Sequence, residues 1–130
     1  MKILITGATS GFGKAMAEKF AAEGHNLIIT GRRSDRLDAL AEGLKNQFAV
    51  QVAIKVFDVQ SKSEVFDALS NDTNLEDVDV VVNNAGLALG RDFFDEASLE
   101  DWEIMIDTNV KGLLYITKVM LPYLIKRGKG

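Results

Sequence analysis

The feature that most restricts the fold of this chain lies at its front. The apolar run Ile3-Leu4-Ile5 passes directly into Thr6-Gly7-Ala8-Thr9-Ser10-Gly11-Phe12-Gly13. An apolar run followed by clustered glycines and then a helical pattern reads as a strand, a tight turn and the start of a helix. Gly7 permits the turn, Gly11 lets the backbone approach an anion such as a diphosphate, and Gly13 allows close packing of helix on strand. Backbone N–H groups at the helix start, Phe12 among them, face that anion together with the positive end of the helix dipole. Thr9 and Ser10 add hydroxyl donors. The spacing is G-x-x-x-G-x-G rather than the familiar G-x-G-x-x-G. A glycine-rich turn also occurs as a plain loop, and the strand-turn-helix context is what favours phosphate binding here.

The rest of the chain repeats the alternation. Strand-like runs at Ile3–Ile5, Leu27–Thr30, Val50–Phe57 and Val78–Val82 are separated by helical patterns. The spacing predicts a helix over Gly13–Glu23 with Gly24 closing it, and a helix capped by Ser34 that carries Leu37, Leu40, Ala41 and Leu44. Ser61 with Glu64, and Ser98 with Asp101, form capping-box patterns. The expected fold class is α/β: a Rossmann-like, doubly wound parallel sheet of strand order 3-2-1-4 with right-handed crossovers. The first and last strands are almost wholly apolar, which predicts cover on both faces. A length of 130 residues, 47% of them hydrophobic, suits one domain, a dinucleotide-binding unit over residues 1–130. The segment Val110–Arg127 is apolar around most of its circumference, which predicts burial on several sides, and Pro122 should kink or end it. With nothing beyond Gly130 to cover that surface, the fold reads as truncated after the helix following strand 4.

Charge and composition exclude several functions. A net charge of −4 gives no electrostatic footprint for nucleic acid or an anionic membrane. Cysteine is absent, which removes disulfides and thiolate metal sites, and no other metal-ligand cluster is visible. The apolar run after Met1 is too short for a signal peptide, and no stretch approaches the roughly 20 apolar residues of a membrane span. A cytoplasmic setting is expected.

The end of the second strand reads Thr30-Gly31-Arg32-Arg33. A site for NAD places an acid there to hold the adenosine 2′-hydroxyl, and this chain has none. Arg32 and Arg33 can instead grip a 2′-phosphate, with Gly31 leaving room, so the expected cofactor is NADP. The competing reading makes both arginines solvated surface charges. Asp35 belongs to the first turn of the next helix, where its charge suits the dipole.

Taken together, Thr6-Gly7-x-x-x-Gly11-x-Gly13, Asp58 after strand three, Asn83-Asn84-Ala85-Gly86 after strand four and Asn109 resemble the short-chain dehydrogenase/reductase family over essentially the whole chain. More narrowly, the stretches 83–90 and 101–113 look like the bacterial NADP-dependent 3-hydroxy acid dehydrogenases. The resemblance implies hydride transfer between a nicotinamide and the hydroxyl/carbonyl pair of a small-molecule substrate, in a homo-oligomer. It implies that Asp58 binds the adenine amino group, with Val59 beside the ring, and that Asn84, Ala85 and Gly86 line the cofactor ribose. A carboxylate accepting from an exocyclic amine agrees with the chemistry, while simple helix capping before Ser61 is the alternative for Asp58. Asn109 is the catalytic candidate: its family counterpart holds a water that relays protons to an active-site lysine. On residue type alone, Asn109 reads as a surface residue between two helical segments.

The family's Tyr-x-x-x-Lys pair and its serine, expected on later elements, are absent from these residues. Tyr115 and Lys118 are three apart and precede the strand that should carry the serine, so they read as packing and polar stripe. His25 reads as structural, and Phe93, Phe94 and Trp102 as packing. The 130 residues alone are therefore expected to be inactive. A rival reading is a noncatalytic dinucleotide-binding or scaffolding module that pairs through the apolar helix 110–127.

Overall fold

The computed structural model describes residues 1–128, and the expected domain end at Gly130 lies outside them. Four strands, β1 (Lys2–Ile5), β2 (Asn26–Gly31), β3 (Val52–Val56) and β4 (Val80–Val82), form one parallel sheet of order β3-β2-β1-β4. Between them run α1 (Gly11–Ala22), α2 (Ser34–Gln47) and α3 (Lys62–Leu69), and after β4 come α4 (Leu99–Ile106) and α5 (Leu113–Arg127). A π-helical segment, Asp107–Gly112, joins the last two into one continuous helix.

Side chains alternate across a strand, so each strand feeds two cores. Ile3 and Ile5 of β1 and Leu27 and Ile29 of β2 pack with Ala17 and Ala21 of α1 and Leu37, Ala41 and Leu44 of α2. Leu4 and Ile28 face the other way, onto Val65 and Leu69 of α3 and Ile116, Val119 and Met120 of α5. The three-layer arrangement and the strand order match the expectation from sequence.

Several boundaries differ. Helix α1 begins at Gly11, not Gly13, because Ser10 takes the extended N-cap position without a side-chain bond. Ser34 is the first residue of α2 rather than its cap; Arg33 occupies that place, also without a side-chain bond. β3 is shorter than Val50–Phe57 and β4 shorter than Val78–Val82. β1 is buried as expected, whereas the valines of β4 are only half-buried, since β4 pairs with β1 alone and stands at the sheet edge. Ser61 and Ser98 do cap, accepting from the N–H groups of Glu64 and Asp101. Glu64, however, reaches back to the N–H of Asp58 (2.9 Å) instead of that of Ser61.

Pro122 does not end α5, which continues to Arg127. Nor is that helix buried all round. Ile116, Val119 and Met120 face the core, and Leu114, Leu121 and Ile125 are exposed. Its C-terminal half is tied to the end of α3 and to the connection that leads into β4. Tyr123 donates its hydroxyl to the carbonyl of Leu69 and accepts from the N–H of Asp72, while Arg127 pairs with Asp79. Asp72 in turn pairs with Lys55 of β3; this bond, outweighing partial burial, lowers the Asp72 pKa below the ordinary 3.8.

Candidate functional site

At the C-terminal ends of the strands lies a cleft of about 360 Å³. This is where open α/β sheets bind ligands. One wall is the turn from β1 to α1. The first helical hydrogen bond of α1 runs from the N–H of Lys14 to the carbonyl of Ser10 (3.3 Å). The N–H groups of Gly11, Phe12 and Gly13 therefore have no partner within the helix and sit at its positive end. Gly7 and Gly11 adopt φ of +66° and +53°, a left-handed backbone that L side chains rarely take. Gly11 has open space where a Cβ would be, so a ligand can come up to the chain.

Gly13 serves differently. A Cβ there would lie 2.3 Å from the carbonyl oxygen of Gly7 and 2.4 Å from Nδ2 of Asn84. The side chain of Asn84 occupies that space because it donates to the carbonyls of Thr6 (2.9 Å) and Gly7 (3.2 Å). Thr6, buried under the turn, accepts from the N–H groups of Asn84 and Ala85 (both 3.0 Å). The glycine turn and the end of β4 are thus one hydrogen-bonded unit. Asn84 thus satisfies backbone groups at the strand ends, whereas Asn83 donates to Thr117 on α5 (3.1 Å).

The other end of the cleft is charged. Arg33 donates to Oγ1 of Thr9 (3.2 Å), and Arg32 lies 3.5 Å from a carboxylate oxygen of Asp58. The second Asp58 oxygen accepts from the N–H of Gln60 (3.0 Å), an Asx turn that sets the chain for α3. Asp58 does not cap α3, a place held by Ser61; its carboxylate makes the local turn and lines the cleft. Val59 packs below, close against Gly112, where an added Cβ would meet its side chain at 3.0 Å.

Asn109 sits in the π-helical segment between α4 and α5, exposed on the surface as its residue type suggests, and outside the lining of the cleft. Its amide clamps one residue of the loop after β4: Oδ1 accepts from the N–H of Leu87 (2.9 Å) and Nδ2 donates to the carbonyl of Leu87 (2.7 Å). Most residues singled out from sequence line the one cleft: Gly7, Thr9, Ser10, Gly11, Phe12, Arg32, Arg33, Asp58, Val59, Asn84, Ala85 and Gly86. Gly13 lies buried behind it, and Asn109 lies outside it, bonded to Leu87. Phe57, Gln60, Leu87 and Thr108 also line the cleft and were not singled out. The first three are chain neighbours of motif residues, a signal that was available; Thr108 carried none beyond adjacency to Asn109.

Tyr115 packs against the α3/α5 core and His25 lies against the Phe20 ring, as expected. Phe93 and Phe94 depart from the packing reading, being 81% and 83% exposed, although the Phe94 ring centre lies 4.6 Å from that of Trp102. Among the described residues no helix is long and apolar enough to cross a membrane.

A strand-turn-helix anion seat, a pair of arginines at the end of β2 and a parallel sheet of this order define a Rossmann-type nucleotide-binding architecture. Residues 1–130 match the short chain dehydrogenase family, and the chain belongs to it. It is 44% identical over 131 residues to the NADP-dependent 3-hydroxy acid dehydrogenase of Salmonella typhi, covering 100% of this chain and 51% of that protein. It is 48% identical over 125 residues to the serine 3-dehydrogenase of Agrobacterium fabrum, covering 96% of this chain and 49% of the relative. The closed form of a serine dehydrogenase complexed with NADP+ superposes with a TM-score of 0.88 at 43% identity, over 100% of this chain and 51% of that one. The chain spans about half the length of the curated relatives it matches.

Proposed function

We propose that this chain binds NADP(H) in the cleft and serves hydride transfer between that cofactor and the hydroxyl/carbonyl pair of a small molecule, with 3-hydroxy acids as the substrate class. The observation that carries the reading is one cleft with unclaimed helix N–H groups at one end and two guanidiniums at the other. The residues present fit the cofactor. The N–H groups of Gly11, Phe12 and Gly13, with the hydroxyls of Thr9 and Ser10, suit a diphosphate. Arg32 and Arg33 suit a 2′-phosphate, Asp58 and Val59 an adenine, and Asn84, Ala85 and Gly86 a ribose. When bound, the nicotinamide supplies a hydride donor or acceptor. The substrate class rests on the two dehydrogenases named above.

Asn109 is assigned the proton relay, where it holds a water, and it fixes the Leu87 loop at the same time. None of the tyrosines here has a lysine four residues on, so residues 1–130 alone should bind cofactor without turnover. Assembly of subunits into a homo-oligomer belongs to the same proposal.

Calorimetric titration with NADPH and NADH tests the cofactor. NADPH should bind tighter, and R32A together with R33A should weaken it by about ten- to a hundred-fold while leaving NADH little changed. Undiminished NADPH affinity in the double variant would refute the phosphate assignment. A second reading is favoured by one observation: Val110, Leu114, Leu121 and Ile125 form an exposed apolar stripe along the last helix. A noncatalytic nucleotide-binding module would pair through that stripe. A sedimentation profile that stays monomeric at high concentration argues against it.

A further inference from the structure

Thr108 is 6% exposed, and its hydroxyl has no hydrogen-bond partner among the described residues. A buried hydroxyl left unpaired is costly, which marks it for explanation. Its place in the fold supplies one. Thr108 lies in the π-helical segment four residues before Gly112, so the two share a face. Gly112 is pressed against Val59, which fixes the direction of that face toward the Asp58-Val59 end of the cleft. Thr108 lines the same cleft. The next residue, Asn109, points instead at Leu87, bonding both its N–H and its carbonyl and keeping one N–H and one lone pair free among the described residues. The π turn thus sends two successive polar side chains to different tasks, one already bonded and one waiting. Such turns are frequent where function needs a side chain re-aimed.

We propose that the Thr108 hydroxyl is a ligand-binding group of the cleft, forming a hydrogen bond with the adenosine moiety of the bound nucleotide, directly or through one ordered water. This rests on the NADP(H) reading and adds a residue to it. A hydroxyl can donate or accept, so it serves an adenine ring nitrogen or a ribose hydroxyl equally. Thr30, the other buried hydroxyl without a partner among the described residues, lies within β2 and does not line this cleft, so it provides a matched control.

The experiment compares T108V, T108S and T30V with the unsubstituted protein in two readouts: thermal unfolding without ligand, and calorimetric affinity for NADPH and for 2′,5′-ADP. T108V keeps the side-chain shape and removes an unpaired hydroxyl, so free-state stability should be unchanged or slightly higher. Its affinity for both ligands should fall by about two- to ten-fold, with T108S within about two-fold of the parent and T30V unchanged. Unaltered affinity in T108V overturns the proposal. So does an equal loss in T108S, which would make the methyl group responsible, or a loss for NADPH alone, which would place the contact away from the adenosine. A marked fall in free-state stability of T108V would show the hydroxyl already bonded and overturn it as well. Failure of the unsubstituted protein to bind NADPH takes down the cofactor reading itself, an outcome separate from all of these.

Discussion

Replacing Gly13 with alanine sets two known effects against each other. In a helix, alanine is favoured over glycine by about 0.5–1 kcal/mol, so in open surroundings the change stabilises. At Gly13 the new methyl would stand 2.3 Å from the Gly7 carbonyl and 2.4 Å from the Asn84 amide, and neither is the free end of a flexible chain. Overpacking of this kind costs about 1–3 kcal/mol, and displacing Asn84 forfeits two hydrogen bonds at about 0.5–1.5 kcal/mol each. The clash wins, for a net loss of about 2–4 kcal/mol, or a melting point lower by about 10 °C in a domain of this size. G43A, in α2 with nothing within 4 Å of the added Cβ, is the control and should gain about 0.5–1 kcal/mol. Calorimetric melting of both variants with the parent makes the test. G13A melting at or above the parent would show that the turn yields freely, and the account of a rigid unit joining it to β4 would be wrong.

Three further outcomes follow from contacts described above. N109A should release the Leu87 loop at a cost of about 1 kcal/mol, read by denaturant unfolding, with faster hydrogen exchange at the Leu87 amide. T9V should weaken NADPH and NADH alike through the lost diphosphate hydroxyl, and NADPH by a further few-fold because Arg33 loses the group that holds it; equal effects on both would contradict the second role. Asp72 has a lowered pKa because of Lys55, so its carboxylate stabilises the fold above the ordinary carboxylate value of 3.8 and the contribution fades as pH falls through the lowered value. D72N should therefore be less stable than the parent near pH 6, with the difference shrinking below about pH 4 in acid-unfolding curves.

Strand order and layering were legible because alternating apolar runs and helical periods admit few topologies. The glycine turn was legible because its spacing follows a buried strand. What escaped was geometry that residue type does not encode. Ser10 and Gly13 fit a helix beginning at either position, and the extended backbone at Ser10 decides it. The apolar pattern of 110–125 is the same with or without a π turn, so the separate aims of Thr108 and Asn109 were invisible. Pro122 reads as a breaker, yet the anchors at Tyr123 and Arg127 hold the helix beyond it.

The side chain of Asn84 acts as a rivet between two distant stretches of sequence, filling the hollow that the missing Cβ of Gly13 leaves. Grafting residues 6–13 into another scaffold would consequently transfer the letters of the turn without its shape. A transplant has to carry the end of the fourth strand as well, and mutational surveys of either segment should find their effects coupled across more than seventy residues of chain.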